Sequence, residues 1–117
     1  MKRTLIALSL FTFIAISADA SQRCLALQTR GEMRRCAADE LKAADAELTR
    51  VYQKLFKSIE PARQTKLRAA ERAWVAYRDA HCTFQADDRL GGVEVFDHMT
   101  CQAELTQART EQLRHSE

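Results

Sequence analysis

Apolar residues recur along this chain at intervals of three and four, and the longest such series runs Ala37, Leu41, Ala44, Leu48, Val51 with Tyr52, Leu55 and Ile59. That spacing predicts a helix of about seven turns with one buried face. Thr29 with Glu32 three positions later marks its start, because each side chain can satisfy a backbone amide of the first turn. Glu60-Pro61 marks its end, since proline disfavours helix in the residue before it and suits the first turn of the helix after it. A second helix is expected over residues 61–86, with Leu67, Ala70, Trp74, Tyr77, His81 and Phe84 as its inward stripe, folding back on the first. Gly91-Gly92 interrupts the pattern. A third helix is expected over residues 97–113, presenting Met99, Ala103 or Leu105, Ala108 and Leu113 to the other two, and a short helical piece over residues 22–28 precedes them all. The first two helices would each run roughly 40 Å. The expected architecture is all-α: an antiparallel helical hairpin with a third helix packed across one end.

The first 20 residues follow a different logic. Lys2 and Arg3 precede an apolar run over residues 5–16, and Ser17-Ala18-Asp19-Ala20 supplies the small residues that signal peptidase cuts after. The run is shorter than the roughly 20 apolar residues of a membrane span. It reads as a cleaved export signal, residues 1–20, leaving a single domain over residues 21–117. Ser21-Gln22-Arg23 lacks the small apolar residues that precede a lipidated cysteine, so no membrane anchor is expected after cleavage. The mature protein is expected in the periplasm or outside the cell.

Composition agrees with a small helical domain: 117 residues, three glycines, one proline, 29% charged. Removal of Lys2, Arg3 and Asp19 takes the 18 basic and 16 acidic side chains to 16 and 15. A nearly neutral surface with alternating signs disfavours nucleic acid as a partner.

Cys24, Cys36, Cys82 and Cys101 all lie in the exported part, and an even count in a chain of this size predicts two disulfides. Pairing Cys24 with Cys36 and Cys82 with Cys101 closes two short helix-loop-helix corners. Crossed pairing stays open, because Cys36 and Cys82 fall near the same end of an antiparallel hairpin. His81-Cys82 with His98 and Cys101 has the donor set of a zinc site, yet oxidation is the simpler fate of exported thiols, and no metal is expected. No nucleophile elbow, phosphate-binding glycine loop or His-Glu-x-x-His pair is present. The reading is therefore of a protein that is not an enzyme and uses no cofactor. Trp74, Tyr77, Arg78 and Asp79 group together as either the core of the hairpin or a binding patch, and the helical spacing favours the core.

The stretch Leu67-Arg68-Ala69-Ala70-Glu71-Arg72-Ala73-Trp74-Val75-Ala76-Tyr77-Arg78-Asp79-Ala80-His81-Cys82 resembles the signature of the LprI-type lysozyme inhibitor family. Glu32-Met33 before Cys36 and the run from Ala44-Asp45 through Leu48 to Tyr52 are similar to the family's first helix. Gly91-Gly92, Cys101, Leu105, Arg109 and Leu113 are similar to its closing segment. Thr49 stands where the family often has asparagine, and Glu71 where it often has glutamine. The resemblance implies an exported bacterial helical protein that binds a c-type lysozyme and blocks peptidoglycan hydrolysis; an envelope adaptor or immunity protein with another partner is the alternative. The acidic residues Asp87, Asp88, Glu94 and Asp97, set against Arg89 alone, are the expected contacts to the cationic rim of such an enzyme.

Overall fold

A computed structural model describes residues 20–86 and 94–116 of the chain. Residues 1–19 of the expected export signal, Asp87, Asp88 and the Gly91-Gly92 break lie outside these residues. Four helices follow one another: α1 (Ala20–Leu25), α2 (Arg30–Ser58), α3 (Pro61–Gln85) and α4 (Glu94–Arg114), with no strand among the described residues. The fold is all-α, and α4 begins three residues before the position its periodicity suggests.

Local chemistry sets the boundaries. The Thr29 hydroxyl accepts the Glu32 amide at 3.2 Å while the Glu32 carboxylate accepts the Thr29 amide at 3.0 Å, completing the expected capping box. At the α2–α3 corner Pro61 takes the first helical position. Gln64 then holds the corner closed, its Nε2 donating to the Phe56 and Ile59 carbonyls at 2.8 and 3.1 Å. These two bonds satisfy acceptors that the end of α2 leaves without helical partners.

Contacts between helices give their directions. Ala37 packs with Phe96, and Val51 and Leu55 pack with Leu113, so α4 runs parallel to α2. Cys82 bonds Cys101, Asp79 meets Gln102, and Glu71 meets Arg109, so α3 runs antiparallel to α4. The third long helix thus lies along the whole length of the other two rather than across one end, as the periodicity had suggested. Small buried residues make this possible: Ala37 and Ala44 on α2 face Ala103, Thr106 and Thr110 on α4. Each threonine returns its hydroxyl to the carbonyl four residues earlier, Thr106 to Gln102 at 2.7 Å and Thr110 to Thr106 at 2.9 Å. A buried hydroxyl satisfied in this way packs as a small apolar side chain.

The core has two parts. Leu48, Val51, Leu55 and Leu113 form one cluster, closed by Tyr52, Ile59, Leu67 and Trp74. Cys24, Ala37 and Phe96 form the other, with Met33, Cys36 and Met99 against it. Disulfides Cys24–Cys36 and Cys82–Cys101 tie α1 to α2 and α3 to α4, and no cysteine is free. The crossed pairing is excluded.

Two inward stripes differ from the pattern expected. On α4 the buried line is Phe96, Ala103, Thr106, Thr110 and Leu113, while Ala108 is exposed. On α3 Leu67 and Trp74 do pack inward, but Ala70 is exposed, Tyr77 is 55% exposed and Phe84 82% exposed. The side that α3 turns inward instead carries Leu67, Glu71, Trp74, Arg78 and Cys82. A periodicity search misses this line because two of its members are charged.

Candidate functional site

Between the two apolar clusters lies a polar belt built by the signature residues. The Arg78 guanidinium, 13% exposed, donates to Asp79 at 2.9 Å on its own helix, to Asp45 at 3.1 Å on α2 and to the Thr106 hydroxyl at 3.2 Å on α4. It also lies over the Trp74 ring, 5.3 Å from the centroid, and Arg109 approaches the same ring at 6.0 Å. Asp79 receives Gln102 Nε2 at 3.0 Å. Burial pushes the Asp79 carboxyl upward, but the Arg78 and Gln102 hydrogen bonds, aided by the Arg78 and His98 charges, outweigh it and hold the group below the ordinary carboxylate range. Trp74, Arg78 and Asp79 therefore fasten three helices together. Tyr77, the remaining member, points outward and stacks on His81 at 5.4 Å between ring centroids.

The four acidic residues expected to touch a partner divide. Asp87 and Asp88 lie outside the described residues. Glu94 is the first residue of α4, and Asp97 lies one turn on, half-buried. Asp97 lines an open cleft of about 500 Å³ between α3 and α4, together with His81, Gln85, Thr100 and Glu104. Glu104 is an acidic neighbour that sequence reasoning missed: seven positions beyond Asp97, two helical turns place both carboxylates on the same face of α4. The Cys82–Cys101 disulfide forms the back of the cleft and holds its two walls together.

Charge is segregated over residues 50–107, whereas residues 20–49 carry five side chains of each sign. Residues 50–72 hold seven basic side chains against Glu60 and Glu71, whereas residues 73–107 hold six acidic ones against Arg78 and Arg89. The fold puts the first set around the α2–α3 corner, while Asp79, Asp97 and Glu104 lie toward the other end, which also carries Arg23, Arg30, Arg34 and Arg35 of α1 and the start of α2.

The zinc reading loses its thiolates, because Cys82 and Cys101 are bonded to each other. Among the described residues no group of three His, Cys, Asp or Glu side chains is placed to hold a metal ion. No described helix is long and apolar enough to cross a membrane. The Cys24 sulfur, which a lipid anchor would need, is bonded to Cys36.

The family model described as lysozyme inhibitor LprI matches residues 20–113. The chain belongs to that family. Its match takes in all four cysteines, the capping box of α2 and the whole signature on α3. An uncharacterized protein of Rhizobium meliloti (strain 1021) is 30% identical over 125 aligned positions, covering 92% of this chain and 90% of that protein. No solved structure matches the chain. The belt accounts for Trp74, Arg78 and Asp79 of the Trp-x-x-Tyr-Arg-Asp string as a helix fastening, whereas Tyr77 is outward.

Proposed function

We propose that this family member is exported after removal of residues 1–20 and that residues 21–117, a single domain, bind a c-type lysozyme and block its access to peptidoglycan. The observation that carries this reading is the family match across residues 20–113. Both disulfides fit an oxidising compartment, where such a target would be met.

The acidic face of α4 beside the cleft is the docking surface in this reading. Lysozymes of this class are basic and cut glycans with two carboxylates set in a groove. The basic α2–α3 corner would be repelled by such a surface, and the acidic face would be attracted to it. Glu94, Asp97 and Glu104 on α4, with Asp87 and Asp88 from the segment before it, meet the cationic rim and obstruct the groove. Electrostatic attraction of this type raises the association rate and weakens with salt. The test is lysozyme binding by a variant carrying Asp87→Asn, Asp88→Asn, Glu94→Gln, Asp97→Asn and Glu104→Gln. Slower association at low salt, with helix content unchanged, supports the acidic docking surface; equal binding at low salt removes it.

A further inference from the structure

Helix α3 carries two apolar lines, only one of which the fold uses. Leu67 and Trp74 lie on the inward line with Glu71, Arg78 and Cys82. The other line is Lys66, Ala70, Ala73, Tyr77, Ala80 and Phe84, whose steps of four, three, four, three and four are those of a coiled-coil seam. At 100° per residue its members fall within a sector of roughly 80° centred about 120° from the inward line, with Lys66 and Ala70 bordering Arg109 and Leu113 of α4. All six are exposed, Tyr77 at 55% and Phe84 at 82%. Tyr77 and Phe84 are the large apolar side chains that this line leaves to solvent.

We propose that this face pairs with the same face of a second copy of the chain, helix against helix and antiparallel about a two-fold axis. Size and charge both point to a second copy. The seam's N-terminal half is small, with Ala70 and Ala73, and its C-terminal half is large, with Tyr77 and Phe84. A two-fold axis between Ala73 and Tyr77 lays each large side chain over the small half of the other copy: Tyr77 over the second copy's Ala73, Ala80 over its Ala70, and Phe84 over its Lys66. An isologous interface requires this kind of self-complementarity.

The charges choose the direction. Arg63, Lys66, Arg68 and Arg72 are exposed along the N-terminal half of α3, where Glu71 is turned inward to Arg109. From Ala73 to Ala86 the sole cation is Arg78, which is 13% exposed and bound to Asp45 and Asp79. Parallel pairing would stack the two cationic halves. Antiparallel pairing sets each one against an aromatic half free of cations, where Lys66 can lie on the Phe84 ring. One helix face of this length falls short of the roughly 800 Å² per partner of a standard stable interface. The dimer is accordingly expected at micromolar chain concentrations.

This inference stands apart from the lysozyme reading, since it needs no third protein. Its test is sedimentation equilibrium of the full chain, expressed for export and purified with its disulfides formed, over a micromolar to millimolar series. The expected mass rises from one chain toward two. Ala73→Arg, an exposed change between two good helix formers, and Phe84→Ser should each weaken association at least tenfold while leaving helix content and thermal midpoint unchanged. A mass of one chain throughout the series overturns the proposal, as does association of both variants at wild-type strength. A monomer whose Ala73→Arg variant loses lysozyme binding also overturns it, and gives the seam to the enzyme instead.

Discussion

Arg109 grips Glu71 through one oxygen: its Nε and Nη2 both donate to Glu71 Oε2, at 3.1 and 3.0 Å, joining α4 to α3. Both side chains are mostly buried, 16% and 17% exposed, and Glu71 Oε1 has no hydrogen-bond partner. Removing the carboxylate strands the guanidinium. Glu71→Ala is therefore expected to lower stability by roughly 1–3 kcal/mol. Glu71→Gln should cost less, because its carbonyl oxygen still accepts from Arg109. Urea unfolding of both variants checks the order.

Arg78 serves three helices at once, so truncation leaves Asp45, Asp79 and the Thr106 hydroxyl each short of a donor. Arg78→Ala is expected to cost about 1–3 kcal/mol, because Arg78 is mostly buried while Asp45 and Asp79, 50% and 49% exposed, regain water when it is removed. Arg78→Lys should recover little of this, because an ammonium cannot span the three acceptors as a planar fork does. Thermal and urea midpoints measure both.

Acid should unfold the protein through two carboxylates. Glu47 is held at about 2, first by the Arg50 hydrogen bond and then by Arg114 on α4, and Asp79 is held below its ordinary range. A depressed native pKa adds stability above the unfolded value of about 4, and that stability is lost as pH falls through the native value. Stability should hold from neutral pH to about 5 and then decline toward pH 2. Asp79→Asn flattens part of that decline, visible in urea midpoints across the acid range.

Loop-closure entropy assigns about 3 kcal/mol to each disulfide, with little to separate them. Their local effects should differ. Helix α3 buries one residue fully, Cys82, and reaches α2 mainly through side chains. Replacing Cys82 and Cys101 with alanine is expected to release the C-terminal half of α3 and open the cleft, raising amide exchange there. Replacing Cys24 and Cys36 should free α1 and leave α3 protected. Hydrogen exchange resolved by segment distinguishes the two.

How far the sequence carried depended on how apolar each face was. On α2 the inward residues are aliphatic, its start is a capping box and its end a proline, so its limits and buried face were all legible. On α3 periodicity mixed two lines, taking Leu67 and Trp74 from one and Ala70, Tyr77 and Phe84 from the other. The inward line holds Glu71 and Arg78, which a hydrophobic pattern counts as surface; their burial becomes intelligible once Arg109, Asp45 and Thr106 are seen across from them. On α4, Thr106 and Thr110 read as polar although their hydroxyls are satisfied within the helix. Of the two acidic side chains that line the α3–α4 cleft, Asp97 belongs to the charge run visible in the sequence and Glu104 does not, because only the helical turn brings it beside Asp97.

Inhibition of a c-type lysozyme is the activity proposed for this family member. Its most direct test is the clearing of bacterial cell-wall suspensions by c-type, g-type and i-type lysozymes, each titrated with the purified, oxidised protein. Stoichiometric loss of c-type activity, weakened by salt and by the charge-neutralised acidic variant, is the expected result. Full activity of all three classes at excess protein would contradict it.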